Sequence, residues 1–73
     1  MNDYEIRNTI KEVLISCRKE KGISQKDLAE AINSKPTTIA SWEQGDSLPK
    51  VHDLYHLAKY YGKTIGYMYG EEK

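Results

Sequence analysis

The sequence from Gln25 to Trp42 reads QKDLAEAINSKPTTIASW, and this stretch decides the fold. Ser24, just before it, is a good helix N-cap, which predicts a helix from Gln25 to about Ala31. Pro36 suits the first position of a following helix, because its missing N–H would be unpaired there in any case. The stretch therefore predicts two short helices joined by a tight turn.

The turn between these helices needs a residue that tolerates positive φ, and Asn33 stands in that place. Ala29 is small where the third helix must pack on the second. Leu28, Ile39 and Trp42 are expected to point into the core. These residues predict that the two helices cross at a steep angle.

The residues before this stretch predict a long first helix. Asn2 and Glu5 have the spacing of a capping box at its start, and Gly22 is expected to end it. Its apolar stripe, at helical spacing, comprises Ile6, Ile10, Val13, Leu14 and Cys17.

The residues after the stretch predict two more helices. The third helix is expected to end at Gly45, the fourth to run from about Val51 to Tyr61, and the fifth to begin at the N-cap Thr64. No alternating apolar run predicts a strand, so the fold class is all-α, with five helices around one core. The expected stripe of the fourth helix is Val51, Leu54, Leu57, Ala58 and Tyr61, and the fifth carries Ile65 and Met68.

Length and composition place the chain among small soluble proteins. Its 73 residues predict a single domain over residues 1–73. The N-terminus lacks the pattern of a signal peptide and no apolar run is long enough to span a membrane, so we expect a cytoplasmic protein. The net charge is zero, which argues against binding of nucleic acid mainly through bulk positive charge.

The outer side of the third helix carries short polar residues, among them Thr37 and Thr38. A helix that is held from behind and is polar in front can enter the major groove of DNA. A plain helical bundle with a solvated polar face is the alternative for these two helices taken alone.

Three stretches together resemble the phage-repressor-like helix-turn-helix domains, the Cro and repressor group often called XRE-type. They read RKEKGISQKDLAEAI, TTIASWEQG and LPKVHDLYHLAKYYGKTIGYMYG, and they run from Arg18 to Gly70. The resemblance implies a five-helix repressor-like DNA-binding domain with a central helix-turn-helix. It also implies sequence-specific binding of double-stranded DNA, usually as a homodimer on a two-fold-related operator.

The resemblance also implies roles for individual residues. Arg18 and Glu43 match a charged pair that ties the first helix to the third. Gln25, Lys26, Lys35 and Lys50 would contact phosphates, and Thr37, Thr38 and Ser41 would face the bases. The DNA-binding residues predicted, with Lys26 and Lys50 added to those that the resemblance implies, are Gln25, Lys26, Lys35, Pro36, Thr37, Thr38, Ser41, Gln44 and Lys50.

Some residues depart from the family pattern and keep a second hypothesis open. The third helix has no Arg or Asn for a bidentate base contact, it begins at Pro36, and Asp46 would repel the DNA backbone. The first hypothesis is a small Cro-like repressor, because nothing follows the domain. The second is a protein-interaction module of the same fold, a modulator or antirepressor that binds another regulator in a phage-type switch.

The histidines and tyrosines raise questions of further sites. His52 and His56 are four residues apart, but a solvated helix face is favoured over a zinc pair that lacks further ligands. We expect no metal, no cofactor and no enzymatic activity, because no catalytic constellation stands out. Scattered surface tyrosines are common, yet tyrosine is also enriched at protein interfaces. A homodimer or partner face is therefore predicted at Tyr55, Tyr60, Tyr67 and Tyr69.

Overall fold

The computed structural model describes residues 2–71 and contains five helices in that range. There is no strand among these residues, and the all-α prediction is confirmed. The helices are α1 (Asp3–Lys21), α2 (Gln25–Ala31), α3 (Pro36–Gln44), α4 (Val51–Tyr61) and α5 (Ile65–Met68).

Helices α1, α2 and α5 begin where the N-cap side chain supplies an acceptor for an unpaired amide. Asn2 Oδ1 accepts from the Glu5 N–H at 2.8 Å, and Ser24 Oγ accepts from the Asp27 N–H at 3.0 Å. Thr64 Oγ1 does the same for the Tyr67 N–H at 3.1 Å. Each of these bonds satisfies one orphan donor in the first turn of a helix.

The core is formed by residues of all five helices. Helix α3 packs against both α1 and α2, and α5 packs against α4 and α1. The buried apolar side chains are Ile10, Leu14, Cys17, Leu28, Ala29, Ile39, Trp42, Leu57, Ala58 and Met68.

One residue of the expected stripe on α4 lies outside this core. Val51 is 78% exposed, so its inclusion in the apolar stripe was wrong. It is the first residue of α4 and stands before the part of that helix that packs, where Leu57 and Ala58 are buried. Leu54 and Tyr61 are partly buried against the core, as half-covered members of the stripe.

The end of the described chain returns to the first helix. Gly70 has φ +85°, and a Cβ at this position would collide with the Thr9 side chain on α1. The C-terminal segment thus lies close against α1, beside an apolar groove that Ile6, Ile10 and Leu54 help to line.

No helix among the described residues is both long enough and apolar enough to cross a membrane.

Candidate nucleic-acid interface

The turn between α2 and α3 has the geometry that the sequence predicts. Asn33 adopts φ 57°, the one non-glycine residue in the described chain with positive φ. The Ser34 N–H then donates to the Ala29 carbonyl at 2.8 Å, which ends α2 and redirects the chain. Ala29 is only 1% exposed, and α3 packs against α2. The turn therefore fixes the angle at which α3 leaves α2.

Helix α3 is held from behind by apolar side chains. Ile39 is 1% exposed and Trp42 is 4% exposed. Pro36 occupies the first turn, and the preceding Lys35 makes no side-chain capping bond. Burial of the inner side of α3 leaves its opposite side as the surface that a ligand can reach.

A partly buried ion pair connects α1 to α3. Arg18 Nε donates to Glu43 Oε2 at 2.8 Å, and Arg18 Nη2 donates to Glu43 Oε1 at 3.0 Å. Arg18 Nη1 also donates to the Ile23 carbonyl at 2.9 Å. Hydrogen bonding to Glu43 raises the pKa of Arg18 above its ordinary value. This planar, two-bond arrangement fixes the rotation of α3 relative to α1.

Gln25, expected to contact a phosphate, is also part of this network. Its Nε2 donates to Glu43 Oε1 at 3.1 Å, and the side chain is partly buried. The amide NH₂ has two N–H groups, and this bond uses one of them. The network thus positions Gln25 at the first residue of α2.

Not all of the α3 residues expected to contact DNA are fully exposed. Pro36, Thr37 and Gln44 are exposed, whereas Thr38 is partly buried. Ser41 is also partly buried, and its hydroxyl lies 2.7 Å from the Ser47 hydroxyl in the loop after α3. Ser41 thus shares a hydrogen bond with Ser47, and its contact with the bases stays a prediction.

The three lysines expected to contact phosphates are all exposed. Lys26 lies in the first turn of α2, Lys35 directly precedes α3, and Lys50 directly precedes α4. The Lys50 N–H donates to Asp53 Oδ2 at 2.9 Å, which fixes the start of α4. Asp46, expected to repel DNA, is exposed in the loop after α3.

The four tyrosines expected at a partner face lie in different environments. Tyr55 is 47% exposed and Tyr69 is 38% exposed, while Tyr60 and Tyr67 are partly buried against the core. Tyr69 lines the apolar groove beside α1, and Tyr60 lines a separate polar groove between the α2–α3 turn and α4.

Lysines that stack on these rings were missed at the sequence level. The Lys63 Nζ lies 4.7 Å from the centre of the Tyr67 ring, and the Lys59 Nζ lies 5.6 Å from that of Tyr55. Tyr55 and Lys59 have the four-residue spacing of neighbours on α4, so their contact was open to detection. Lys63 precedes α5, so helical spacing does not predict its contact with Tyr67. The Lys21 Nζ lies 4.8 Å from the Tyr60 ring, and no local spacing signals a contact between α1 and α4.

Metal ligands are not assembled in the described part of the chain. No group of three or more His, Cys, Asp or Glu side chains lies together there. His52 Nε2 is 3.4 Å from Asp53 Oδ1, and this histidine is largely exposed.

Comparison with known proteins places this geometry in a family. The family model described as Helix-turn-helix matches residues 14–68, which is more than half of the chain. That segment includes both helices of the motif and the ion pair behind them.

Several curated proteins are similar in sequence. Multiprotein-bridging factor 1 of Candida glabrata is 40% identical over 76 aligned residues, covering 97% of this chain and 48% of that protein. Human endothelial differentiation-related factor 1 is 40% identical over 60 residues, covering 75% of this chain and 40% of that protein. The chicken homolog is 45% identical, with 75% and 40% covered. The chain thus spans less than half the length of these relatives. No solved structure gives a significant match.

Proposed function

The chain belongs to the helix-turn-helix family, and from this we propose that it is a non-enzymatic transcription regulator that binds double-stranded DNA through α3. The single observation that carries the proposal is the packing of α3 against the rest of the domain. Its inner side is fixed by Ile39, Trp42 and the Glu43–Arg18 ion pair, and its N-terminal turn is left exposed. Such a helix can enter the major groove without rearrangement.

Base contacts are proposed for the first turn of α3. Thr37 is exposed there, and the neighbouring Thr38 is partly exposed. A threonine methyl can contact the methyl group of thymine, and a threonine hydroxyl can bond to base edges. Gln44 is exposed at the other end of α3 and would contact the DNA at its edge. We therefore propose modest sequence selectivity rather than a bidentate code.

Phosphate contacts are proposed for residues at three helix starts. Lys26, Lys35 and Lys50 are exposed there, and positive charge at these positions would hold the DNA backbone on either side of α3. Gln25 would add a contact through the N–H that Glu43 does not use.

The proposal is tested by selecting duplexes from a random pool and measuring their affinity by fluorescence anisotropy at two salt concentrations. We expect a selected duplex to bind more tightly than a random one, with both affinities falling as salt rises. Thr37→Ala should reduce the preference for the selected duplex, and Lys26→Ala should weaken both duplexes alike. Glu12→Ala, an exposed change on α1, is the matched control. Equal, salt-independent binding of both duplexes would refute the proposal.

A second candidate function is a module that joins another regulator to DNA. Two observations favour it: some of the relatives are named as bridging factors, and the Ser41 hydroxyl on α3 is bonded to Ser47. These names give no support to a Cro-like or phage-type repressor, so neither repression nor a phage origin forms part of the proposal. Because the proposed ligand is DNA, the location we propose for the protein is the compartment that holds the DNA.

A homodimer through the tyrosine-bearing helices is a further proposal, supported by the exposure of Tyr55 and Tyr69. Multi-angle light scattering of the wild type and of a Tyr55→Ser/Tyr69→Ser variant tests it. We expect a dimer that the variant converts to a monomer. A monomeric wild type would contradict the proposal.

A further inference from the structure

The surface formed by the end of α1, the end of α4 and α5 carries lysines that lie on tyrosine rings. We name it the lysine–tyrosine face, and it comprises Lys21, Tyr60, Tyr61, Lys63 and Tyr67. The Lys21 Nζ is 4.8 Å from the centre of the Tyr60 ring, and the Lys63 Nζ is 4.7 Å from the centre of the Tyr67 ring. None of these residues lies on α2 or α3, which form the helix-turn-helix.

The residues of this face are continuous with one another. The rings of Tyr60 and Tyr61 pack edge to face, with their centres 5.2 Å apart. Tyr61 then lines a small cleft of about 150 Å³ together with Lys21 and Lys63. The two lysines therefore border the same depression and are not isolated surface charges.

Among residues 2–71, no ion pair neutralises the positive charge of the face. Within residues 2–71, the ion pairs are Arg18–Glu43 and His52–Asp53, so neither Lys21 nor Lys63 has a carboxylate partner. Glu20 borders the cleft and supplies one negative charge against two positive ones. The Tyr61 hydroxyl is buried beside the cleft without a hydrogen-bond partner.

We propose that the lysine–tyrosine face binds an acidic, partly apolar segment of a partner protein. Carboxylates would pair with Lys21 and Lys63, and apolar side chains would contact the accessible edges of the tyrosine rings. The ammonium groups already lie over the rings, so pairing with a carboxylate costs less side-chain entropy than at a free lysine. The proposal names the partner class for the bridging role above and rests on that role.

Single-stranded nucleic acid fits this face less well than an acidic peptide does. Bases bind such surfaces by stacking on open aromatic rings. Here the lysine ammonium groups occupy the faces of Tyr60 and Tyr67, and those rings are partly buried. What remains available is positive charge beside apolar ring edges, which suits carboxylates spaced by apolar side chains.

The test is a fluorescence anisotropy titration with a short labelled peptide of alternating Asp, Glu, Leu and Phe. We expect the wild-type chain to bind it, and to bind a version with Asn and Gln in place of the acids more weakly. Lys21→Glu/Lys63→Glu should weaken binding about tenfold or more, since two attractions become repulsions. Lys21→Arg/Lys63→Arg should bind like the wild type, and Lys19→Glu, an exposed change in the same turn of α1, should have little effect.

Circular dichroism and duplex DNA binding of the same variants keep the result interpretable. A folded Lys21→Glu/Lys63→Glu variant that loses the peptide and keeps DNA supports the proposal. Equal peptide binding by wild type and variant overturns it, as does tighter binding of a single-stranded oligonucleotide than of the peptide. Equal loss of duplex DNA assigns the face to DNA and also overturns it. Failure of the wild type to bind DNA concerns α3 alone and leaves this test intact.

Discussion

At the scale of single residues, Glu43 is the point on which the site depends. Its carboxylate accepts two hydrogen bonds from Arg18 and one from Gln25, while its side chain is only 6% exposed. A buried carboxylate is tolerated only when its lone pairs are satisfied. The resemblance to repressor-like domains indicated the Arg18–Glu43 pair. It did not indicate that Gln25 would share the same carboxylate.

Glu43→Gln should lower the free energy of unfolding by about 2–3 kcal/mol, because it leaves the Arg18 guanidinium partly buried without its counter-charge. Urea unfolding followed by circular dichroism measures this. Glu12→Gln, at an exposed position on α1, is the control and should change stability by less than about 0.5 kcal/mol. A Glu43→Gln variant as stable as the control would show that the ion pair does not hold α3.

Tyr61 and Cys17 should make the fold sensitive to high pH. Burial raises the pKa of both side chains above their ordinary values of 10.0 and 9.0. Above those values the unfolded chain loses protons that the folded chain keeps, so the free energy of unfolding falls as pH rises. This stability is fully present below about pH 9. Urea midpoints measured at increasing pH should decline from about pH 9 upward.

Tyr61→Phe separates the two contributions. The variant should be at least as stable as the wild type at neutral pH, because the Tyr61 hydroxyl is buried without a partner. Its midpoint should fall less steeply above about pH 10, with the part due to Cys17 retained. An unchanged slope would mean that Tyr61 ionises in the folded protein as it does in the unfolded chain.

At the scale of the elements, the helix bounds could be predicted because their signals are local. Ser24, Pro36 and the glycine after α4 each act on their own few residues of backbone. The bond between Ser41 and Ser47 could not be predicted in this way, because it depends on how the loop after α3 folds back. The exposure of Val51 could not be predicted either, because the spacing of apolar residues does not show where along a helix the packing begins.

Asn33 determines the turn between α2 and α3 through its positive φ. Asn33→Ala should destabilise the fold by about 1 kcal/mol, because an alanine side chain disfavours the left-handed region. Asn33→Gly should be close to neutral, since glycine adopts φ 57° without a steric penalty. Thermal unfolding of the two variants compares them directly. Equal stability of both would show that the turn relaxes to another conformation.

At the scale of the whole molecule, the net charge of zero gives no information on where the lysines lie on the surface. Lys26, Lys35 and Lys50 lie at the starts of α2, α3 and α4, whereas Lys21 and Lys63 border the lysine–tyrosine face. The composition correctly indicated that the protein is not strongly basic as a whole. It could not predict that the lysines form two separate basic regions. Their separation depends on the packing of α1 against the C-terminal helices, which only the folded chain defines.

Salt dependence of duplex binding measures how many phosphates the molecule contacts. Each neutralised phosphate contributes a slope of about −0.9, so three lysines predict about −2.7 in log K against log salt. Lys50→Ala should reduce the magnitude of the slope by about 0.9. Anisotropy titrations at several salt concentrations give both values. A slope that Lys50→Ala leaves unchanged would remove this lysine from the interface.

We propose that α3 and the adjoining helix starts form the DNA-binding surface. A ¹H–¹⁵N NMR titration of the labelled chain with a selected duplex tests it most directly. We predict that the largest amide shifts lie at Gln25, Lys35, Thr37, Thr38 and Lys50, while amides of the lysine–tyrosine face remain in place. Shifts concentrated at Tyr60, Lys63 and Tyr67, with none on α3, would contradict DNA binding through α3.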